Sequence, residues 1–301
     1  MFFLAQAAAE RISMMQALWL GIIEGITEFL PISSTGHLLV SSQMLGAANT
    51  AGTFEIVIQL GAIIAVVIYY WKRLWAKLAD VKTNKRSQEF WIRLFIAFLP
   101  AAAVGLLLHH WIDSLLENRV VQAYVIGAVL IAGGIVLWWA DSYTAAKNKE
   151  LRESPENGGE DSGKGAKEAF AKDENITMRQ ALWIGFAQCF ALIPGMSRSG
   201  ATIVGALLVG LNRAKATEFS FYLSIPTLGA ATLYTLVKNF GKLVEVGSVG
   251  ALGLGTVAAF ITAWLSIGWL LRYVSSNDFR GFAVYRVAVG LLIIAWANWY
   301  L

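Results

Sequence analysis

Two carboxylates, three consecutive hydroxyl side chains and an imidazole lie within fourteen residues of a largely apolar stretch near the start of the chain. Glu24 and Glu28 are four residues apart, so on a helix they share one face. A break at Pro31 follows, and after it come Ser33, Ser34, Thr35 and His37. Charged groups are expensive at membrane depth and mark functional sites there. This cluster is therefore the first candidate site.

The two carboxylates suggest two kinds of chemistry. Like charges in a medium of low dielectric constant cannot both ionise freely, so either one keeps a proton or a cation lies between them. The first arrangement gives a general acid or base. The second gives a metal site of oxygen ligands, which suits Mg²⁺ or Ca²⁺, with Glu24 and Glu28 as the ligands. A purely structural pair is the alternative, and the cost of burying two carboxylates disfavours it.

The break itself predicts an anion site. Pro31 ends the first helix, and Ser33 or Ser34 is a good N-cap for the next one. A helix N-terminus with free N–H groups and nearby hydroxyls binds anions, commonly phosphate. His37 lies just inside this second helix and could be a nucleophile, a general acid or base, or a proton relay. The alternative is a histidine that is merely hydrogen-bonded in the core.

A second apolar stretch repeats the first at an offset of 164 positions. It has the same break, in the sequence PGMSRSGAT, but an arginine now follows the capping serine. Arg198 stays charged, and its planar fork suits phosphate oxygens. The pairs of identical residues are Ile12 and Ile176, Met14 and Met178, Gln16 to Trp19 and Gln180 to Trp183, Gly21 and Gly185, Ser33 and Ser197, and Gly36 and Gly200. We expect the two breaks to meet in one phosphate-handling site.

Composition indicates the medium in which this site lies. The 301 residues are 57% hydrophobic and 15% charged, with a mean hydropathy of +0.58. A soluble domain carries about 25% charged residues, so the chain is a polytopic membrane protein. The single cysteine, Cys189, excludes an intrachain disulfide. Six segments are long enough to span a bilayer, at 54–71, 90–111, 120–140, 218–237, 249–271 and 282–300.

The repeat predicts the topology. The broken stretches 12–45 and 176–211 are expected to be re-entrant hairpins, whose irregular backbone is tolerated only where protein or a wet cavity surrounds it. Each half, 1–141 and 176–301, then has one hairpin and three spans, so the second half inserts upside down. The fold class is an all-α integral membrane protein, an inverted-repeat helical bundle with six spanning helices and two re-entrant helical hairpins.

Basic residues predict the orientation of this bundle. Lysines and arginines are concentrated between 72 and 93, so that side is expected to be cytoplasmic. The polar segment 142–175, rich in glycine, serine and charge, is expected to be a flexible cytoplasmic linker. Further basic residues are expected on or near the same side, namely Arg213, Lys215, Arg272, Arg280 and Arg286.

The two motifs EGITEFLPISSTGH and PGMSRSGAT resemble the signature pair of the undecaprenyl pyrophosphate phosphatase family, also called bacitracin resistance proteins. The resemblance covers nearly the whole chain, in length, span pattern and duplication. It implies a membrane enzyme that hydrolyses undecaprenyl diphosphate to undecaprenyl phosphate and phosphate. Such an enzyme recycles the lipid carrier for peptidoglycan synthesis and confers bacitracin resistance.

The resemblance also implies roles for residues. The expected catalytic groups are Glu24, Glu28, Ser34, His37 and Arg198. The groups expected to bind the diphosphate are Ser33, Ser34, Thr35, Ser197, Arg198, Ser199 and Thr202. Ser34 or His37 could attack phosphorus, or one of them could activate water. The expected partners are the isoprenoid diphosphate, membrane lipids and a divalent cation, but no nucleic acid, and the sequence leaves room for a homodimer. The expected location is the bacterial inner membrane, with the site open to the periplasm or cell exterior.

Two other functions use similar features. Secondary transporters are also built from inverted repeats with broken helices at the midplane, and a lipid-phosphate flippase could use the same polar groups. Lipid phosphatases of the acid-phosphatase type contain Ser-Gly-His and Ser-Arg elements as well. No downstream His/Asp relay follows Ser197-Arg198 here, which disfavours that class.

Overall fold

The computed structural model describes residues 12–47, 53–117, 119–153, 176–238 and 248–300. These residues form eleven α-helices and one short 3-10 helix, so the predicted all-α fold is confirmed. The helices are α1 (Met14–Thr27), α2 (Ser34–Met44), α3 (Thr53–Tyr69), α4 (Trp71–Ala79), α5 (Lys85–Glu117), α6 (Arg119–Glu153), α7 (Met178–Cys189), α8 (Arg198–Leu208), α9 (Arg213–Lys238), α10 (Val249–Val274) and α11 (Arg280–Tyr300), with the 3-10 helix at Phe190–Leu192.

Five of these helices are long and apolar enough to cross a membrane: α5, α6, α9, α10 and α11. A sixth span results if α3 and α4 are counted together, but they are bent by 68° at Tyr70. The bend has a chemical reason, because α4 carries Lys72, Arg73 and Lys77 while it buries Leu74. Such an amphipathic segment is favoured at the membrane surface rather than across the bilayer. The chain is therefore a multi-pass membrane protein.

Helix α6 extends beyond the predicted end of the first half. It continues to Glu153, through the first part of the segment predicted to be a flexible linker. Asp141 is buried there, and both its oxygens accept hydrogen bonds from Arg213, at 2.6 and 2.9 Å. This ion pair ties α6 to α9 and keeps the helix regular past the boundary. The remaining linker, 154–175, lies outside the described residues.

Each broken stretch forms a helix–break–helix unit. A glutamine near the start of the unit bonds to the backbone near its end, at the side opposite the break. Gln16 and Gln180 complete matching capping boxes at the starts of α1 and α7. The side-chain amide of Gln16 donates to the carbonyl of Leu45, and that of Gln180 to the carbonyl of Val209, each at 2.9 Å. All of these pairs keep the 164-residue offset. The duplicated sequence thus produces duplicated local structure, while its inversion across the membrane stays a prediction.

The first helix of each hairpin packs against a spanning helix of the opposite half. Helix α1 lies on α10, and α7 lies on α5. Glycine makes the close approach possible at the same repeat position in both: a Cβ on Gly21 would lie 2.2 Å from the carbonyl oxygen of Gly255, and one on Gly185 would lie 2.6 Å from that of Ala97. The two halves are therefore interlocked, and each hairpin is positioned by the other half.

Candidate active site

The two hairpin breaks have the same strained backbone. Ser33 and Ser197 adopt positive φ values of 70° and 72°, which L-residues rarely do. Their hydroxyls accept hydrogen bonds from the backbone N–H of Gly36 at 3.4 Å and of Gly200 at 3.1 Å. The residue that caps α2 is therefore Ser33, one of the two predicted, and Ser197 caps α8 in the same way. The strained turn directs the next side chains, Ser34 and Arg198, into the space between the hairpins.

A buried ion pair joins the two hairpins. Arg198 Nη2 donates to Glu28 Oε1 at 3.1 Å, and both side chains are at least nine-tenths buried. The hydroxyl of Ser34 donates to the other oxygen, Oε2, at 2.7 Å. Arg198 Nη1 donates to the carbonyl of Ser220 on α9 at 2.9 Å. The structure thus brings together Glu28, Ser34 and Arg198, three of the residues that the sequence singles out.

The remaining hydroxyls of the second break are used within the protein. Ser199 is fully buried, and its hydroxyl donates to the carbonyl of Leu30 at 2.9 Å, a bond from one hairpin to the other. Thr202 is also fully buried, and its hydroxyl lies 2.6 Å from that of Ser220 and donates to the carbonyl of Arg198 at 2.9 Å. Their contacts hold Arg198 and the hairpin in position, and the expected binding of the diphosphate by these two residues stays a prediction.

The exposed groups lie on the first hairpin. Thr35 is exposed, and Ser34 and His37 are half-buried. His37 Nδ1 lies 2.7 Å from the carbonyl of Ser33, and because a carbonyl only accepts, Nδ1 carries the hydrogen. Its Nε2 lies 2.8 Å from the hydroxyl of Tyr285, and the two rings are parallel at 5.6 Å. In a neutral ring Nε2 then accepts from the phenol. Sequence reasoning missed Tyr285, although its neighbour Arg286 is an arginine within an apolar helix.

Glu24 lies one turn before Glu28 on α1 and is 1% exposed. Helix α3, which contacts α1, carries a further carboxylate, Glu55, in its first turn. The described residues contain no group of three His, Cys, Asp or Glu side chains that could hold a metal ion. Mg²⁺ is often held by one or two carboxylates together with phosphate oxygens and waters. The carboxylates present fit a cation that arrives with a phosphate ligand, and they do not form a complete cage.

Arg286 on α11 is buried between the two breaks. It is 1% exposed and donates to the carbonyl of Pro31 at 3.2 Å in the first break, and to those of Met196 at 2.9 Å and Gly195 at 3.4 Å in the second. A Cβ on Gly133 would lie 2.1 Å from its Nη2, so glycine makes room for the guanidinium. The expectation that Arg286 lies on or near the cytoplasmic side stays a prediction, and the structure adds its contacts with both breaks. An arginine within an apolar helix was a signal that sequence reasoning counted only for orientation.

The fold and the site together define a class: polytopic α-helical membrane proteins whose polar centre is formed by two broken helical stretches. The chain belongs to the Bacitracin resistance protein BacA family, which it matches over residues 17–292. This membership confirms the resemblance that the two motifs carry, and the matched range includes both hairpin tips.

Curated relatives match the chain along almost its full length. The undecaprenyl-diphosphatase 1 of Burkholderia lata is 43% identical, over 94% of this chain and 97% of its own. The undecaprenyl-diphosphatase of Albidiferax ferrireducens is 41% identical, over 94% and 95%. That of Deinococcus radiodurans is 42% identical, over 91% and 92%. The similarity therefore includes both halves and the site between them.

Proposed function

We propose that this chain hydrolyses undecaprenyl diphosphate to undecaprenyl phosphate and inorganic phosphate. The observation that carries the proposal is the buried contact of Arg198 with Glu28 and Ser34 where the two hairpins meet. The full-length relatives named undecaprenyl-diphosphatase support it. The activity returns the lipid carrier to peptidoglycan synthesis, and it lowers sensitivity to bacitracin by removing the diphosphate.

Arg198 is the phosphate clamp in this proposal. Its guanidinium is held by Glu28 and by the carbonyl of Ser220, so it is aimed before substrate arrives. A diphosphate offers oxygens with the same bidentate geometry as a carboxylate and competes for the same donors. The buried setting strengthens the interaction with charge that develops during phosphoryl transfer.

Ser34 has the geometry of an activated nucleophile. Its hydroxyl already donates to Glu28 at 2.7 Å, the distance expected between a nucleophile and its general base. In the proposed step the Ser34 oxygen bonds to the terminal phosphorus, its proton passes to Glu28, and the bond to the bridging oxygen breaks to release undecaprenyl phosphate. Water then attacks the phosphoserine and the bond from phosphorus to the Ser34 oxygen breaks. Glu28 returns its proton to the Ser34 oxygen, and the protons of the water leave with the released phosphate. His37 is less suited to attack, because Tyr285 occupies its Nε2.

A divalent cation, Mg²⁺ or Ca²⁺, would neutralise part of the diphosphate charge. Glu24 is the carboxylate best placed to hold it, because both oxygens of Glu28 already have partners in Arg198 and Ser34. The diphosphate oxygens and water would complete the ligand set. Thr35, exposed at the first turn of α2, is the further hydroxyl available to the substrate.

We assign the chain to the bacterial inner membrane, with the hairpin tips accessible from the outer side. The concentration of basic residues on α4 and at the start of α5 supports a cytoplasmic location for that face. The diphosphate keeps its isoprenoid tail in the bilayer, so the site must admit it between helices.

Phosphate release from farnesyl diphosphate by the purified protein, with Mg²⁺ or Ca²⁺ supplied, tests the proposal. We expect turnover by the unmodified chain and a loss of about 10³-fold or more in Arg198→Ala, the scale of losing a transition-state arginine. Arg280→Ala removes an exposed arginine that is paired with Asp278, and it serves as the matched control. Lipid translocation in liposomes without any phosphate release would instead support a transporter.

A further inference from the structure

A cavity lies between the two halves of the chain, away from the hairpin tips. Its volume is about 1730 Å³, and α4, the start of α5, the start of α9 and the open end of the second hairpin enclose it. None of Glu28, Ser34, His37 and Arg198 lines it. Helix α9 separates the two places: Ser220 contacts Arg198, whereas Glu218 and Tyr222 line the cavity. The hydrolytic mechanism makes no use of this space.

The cavity carries excess positive charge. Six basic side chains line it, namely Lys72, Arg73, Lys77, Arg86, Arg93 and Lys215. Among the described residues, the acidic side chains in its lining are Asp80 and Glu218. Glu218 is paired with Arg73, Asp80 accepts a hydrogen bond from Asn84 at 2.6 Å, and Arg93 is paired with Glu89, outside the lining, at 2.6 Å. A concave surface of one sign concentrates ligands of the opposite sign, so the expected ligand is an anion.

A buried hydroxyl in the cavity wall lacks a partner. Tyr70 is 4% exposed, lines the cavity, and its hydroxyl has no hydrogen-bond partner among the described residues. The ring is held in place, since its centroid lies 4.6 Å from that of Tyr222. Leaving a buried hydroxyl unsatisfied costs about 1–3 kcal/mol, so such groups usually have a ligand or water to bond. Tyr70 therefore offers a donor to a molecule in the cavity.

Part of the remaining wall is apolar, beside the polar side chains of Asn84, Ser87, Gln180 and Asn212. Ile68, Trp71, Phe90 and Leu271 line the same space, and Ile68 and Trp71 are half-exposed at the side of the molecule. The volume also exceeds the range of about 300–1,000 Å³ that small-molecule sites usually have. An inorganic anion would leave most of this space and the apolar walls unused. A ligand with a charged head and an apolar tail matches both parts.

We propose that this cavity is a second binding site, which takes a phosphate group carried on a lipid tail. The basic side chains and the Tyr70 hydroxyl hold the phosphate, and the apolar wall admits the tail from the bilayer. A prenyl monophosphate and an anionic phospholipid share this chemistry. The inference concerns binding alone and does not depend on the proposed hydrolysis.

Basic residues also orient membrane proteins without binding any ligand, so the test must separate the two roles. The experiment measures binding of farnesyl monophosphate to protein in phosphatidylcholine nanodiscs, in an Arg198→Ala background that disables the hairpin-tip site. We expect binding to remain in that background. Adding Lys72→Gln and Arg86→Gln to this background should weaken the binding of farnesyl monophosphate about tenfold or more, because two positive charges near the phosphate are lost. Lys147→Gln, exposed at the end of α6 and outside the cavity, is the matched control.

Tyr70→Phe gives the sharper readout. Because its hydroxyl has no hydrogen-bond partner among the described residues, removing it should not lower the melting temperature of the ligand-free protein. It should nevertheless weaken farnesyl monophosphate binding about fivefold, the scale of one hydrogen bond. Tyr143→Phe, on the half-exposed ring that stacks on Trp139, controls for the substitution. All cavity variants, made in the unmodified chain, should keep normal hydrolysis.

The competitors identify the source of the phosphate. If phosphatidylglycerol in the nanodisc displaces farnesyl monophosphate, the occupant is a membrane phospholipid. If phosphatidylglycerol does not displace it, the result favours a prenyl monophosphate. Displacement by inorganic phosphate at equal concentration would contradict the need for a tail. Absence of binding in the Arg198→Ala background, or binding that is indifferent to Lys72→Gln with Arg86→Gln and to Tyr70→Phe, would overturn the proposal, whatever the outcome for hydrolysis.

Discussion

In the proposed mechanism, Ser34 and Glu28 become reactive through their position. The carboxylate of Glu28 accepts from Arg198 on one oxygen and from Ser34 on the other, so the arginine and the hydroxyl face the same carboxylate. A phosphate that displaced the carboxylate from Arg198 would leave the Ser34 contact intact. Binding of substrate and activation of the nucleophile can then occur together.

Replacing Ser34 separates covalent from direct hydrolysis. If Ser34 attacks phosphorus, Ser34→Ala should lower kcat at least about a hundredfold. The unmodified enzyme, quenched with acid during turnover of labelled farnesyl diphosphate, should retain label on Ser34. Ser42→Ala, on the same helix and bonded only to the Leu39 carbonyl, should behave as the unmodified enzyme. Near-normal kcat in Ser34→Ala would transfer the attack to water.

Arg286 acts through other residues and is a positioning residue. It bonds to backbone carbonyls of both breaks, so its loss should let Arg198 and Ser34 move apart. We expect Arg286→Met, measured under conditions in which the protein is still folded, to lower kcat about tenfold or more. Small displacements of catalytic groups cause losses of this size. Arg286→Lys keeps a donor and should recover part of the loss. A folded Arg286→Met enzyme with unchanged kcat would reduce Arg286 to a packing residue.

Among individual residues, the sequence identified those whose polar or charged side chains lie in an otherwise apolar helix. Glu28, Ser34 and Arg198 stood out because charge and hydroxyls are rare in apolar helices, and the structure brings them together. Tyr285 gave no such signal, since tyrosines are common near membrane surfaces and its contact with His37 spans 248 residues. The sequence could not show that the hydroxyls of Ser199 and Thr202 donate to backbone carbonyls, because such contacts depend on packing, and their role in binding the diphosphate stays a prediction.

The helix–break–helix unit is the element that the sequence repeats. Its two copies share the capping box, the closing glutamine and the serine at positive φ, all at one offset. Periodicity and the breaks at Pro31 and Pro194 therefore predicted both hairpins. The bend between α3 and α4 was not predicted, because no proline or glycine marks Tyr70 and the cause is the amphipathic character of the segment that follows.

The serine at each break has two roles that substitutions can separate. Ser197→Ala loses the bond to the N–H of Gly200 and keeps the strained φ, so it should cost about 1 kcal/mol of stability, as N-cap losses do. Ser197→Gly also loses the side-chain cap but adopts φ near 72° without strain, so it should cost only a few tenths. Thermal unfolding in detergent measures the difference. Equal losses in both variants would mean that φ at this position contributes nothing.

The two halves of the molecule are interlocked rather than merely adjacent. Each hairpin packs on a spanning helix of the other half, and Glu28, from one half, meets Arg198, from the other. Neither half contains a complete site. No motif within either half indicates that Glu28 contacts Arg198. The contact between the halves could be predicted only from the symmetry of the duplicated sequence.

Inversion of the halves is the property of the whole molecule that labelling can test directly. Met44 and Leu208 occupy equivalent positions in the two hairpins, each exposed near the open end of its unit. In a Cys189→Ser background, a membrane-impermeant thiol reagent should label Met44→Cys in intact cells and Leu208→Cys only after permeabilisation. Leu78→Cys on α4 should behave like Leu208→Cys, because the basic helix α4 is expected inside. Labelling of both hairpin positions from the same side would show that the copies are parallel, and the proposed outer access to the tips would then need another route.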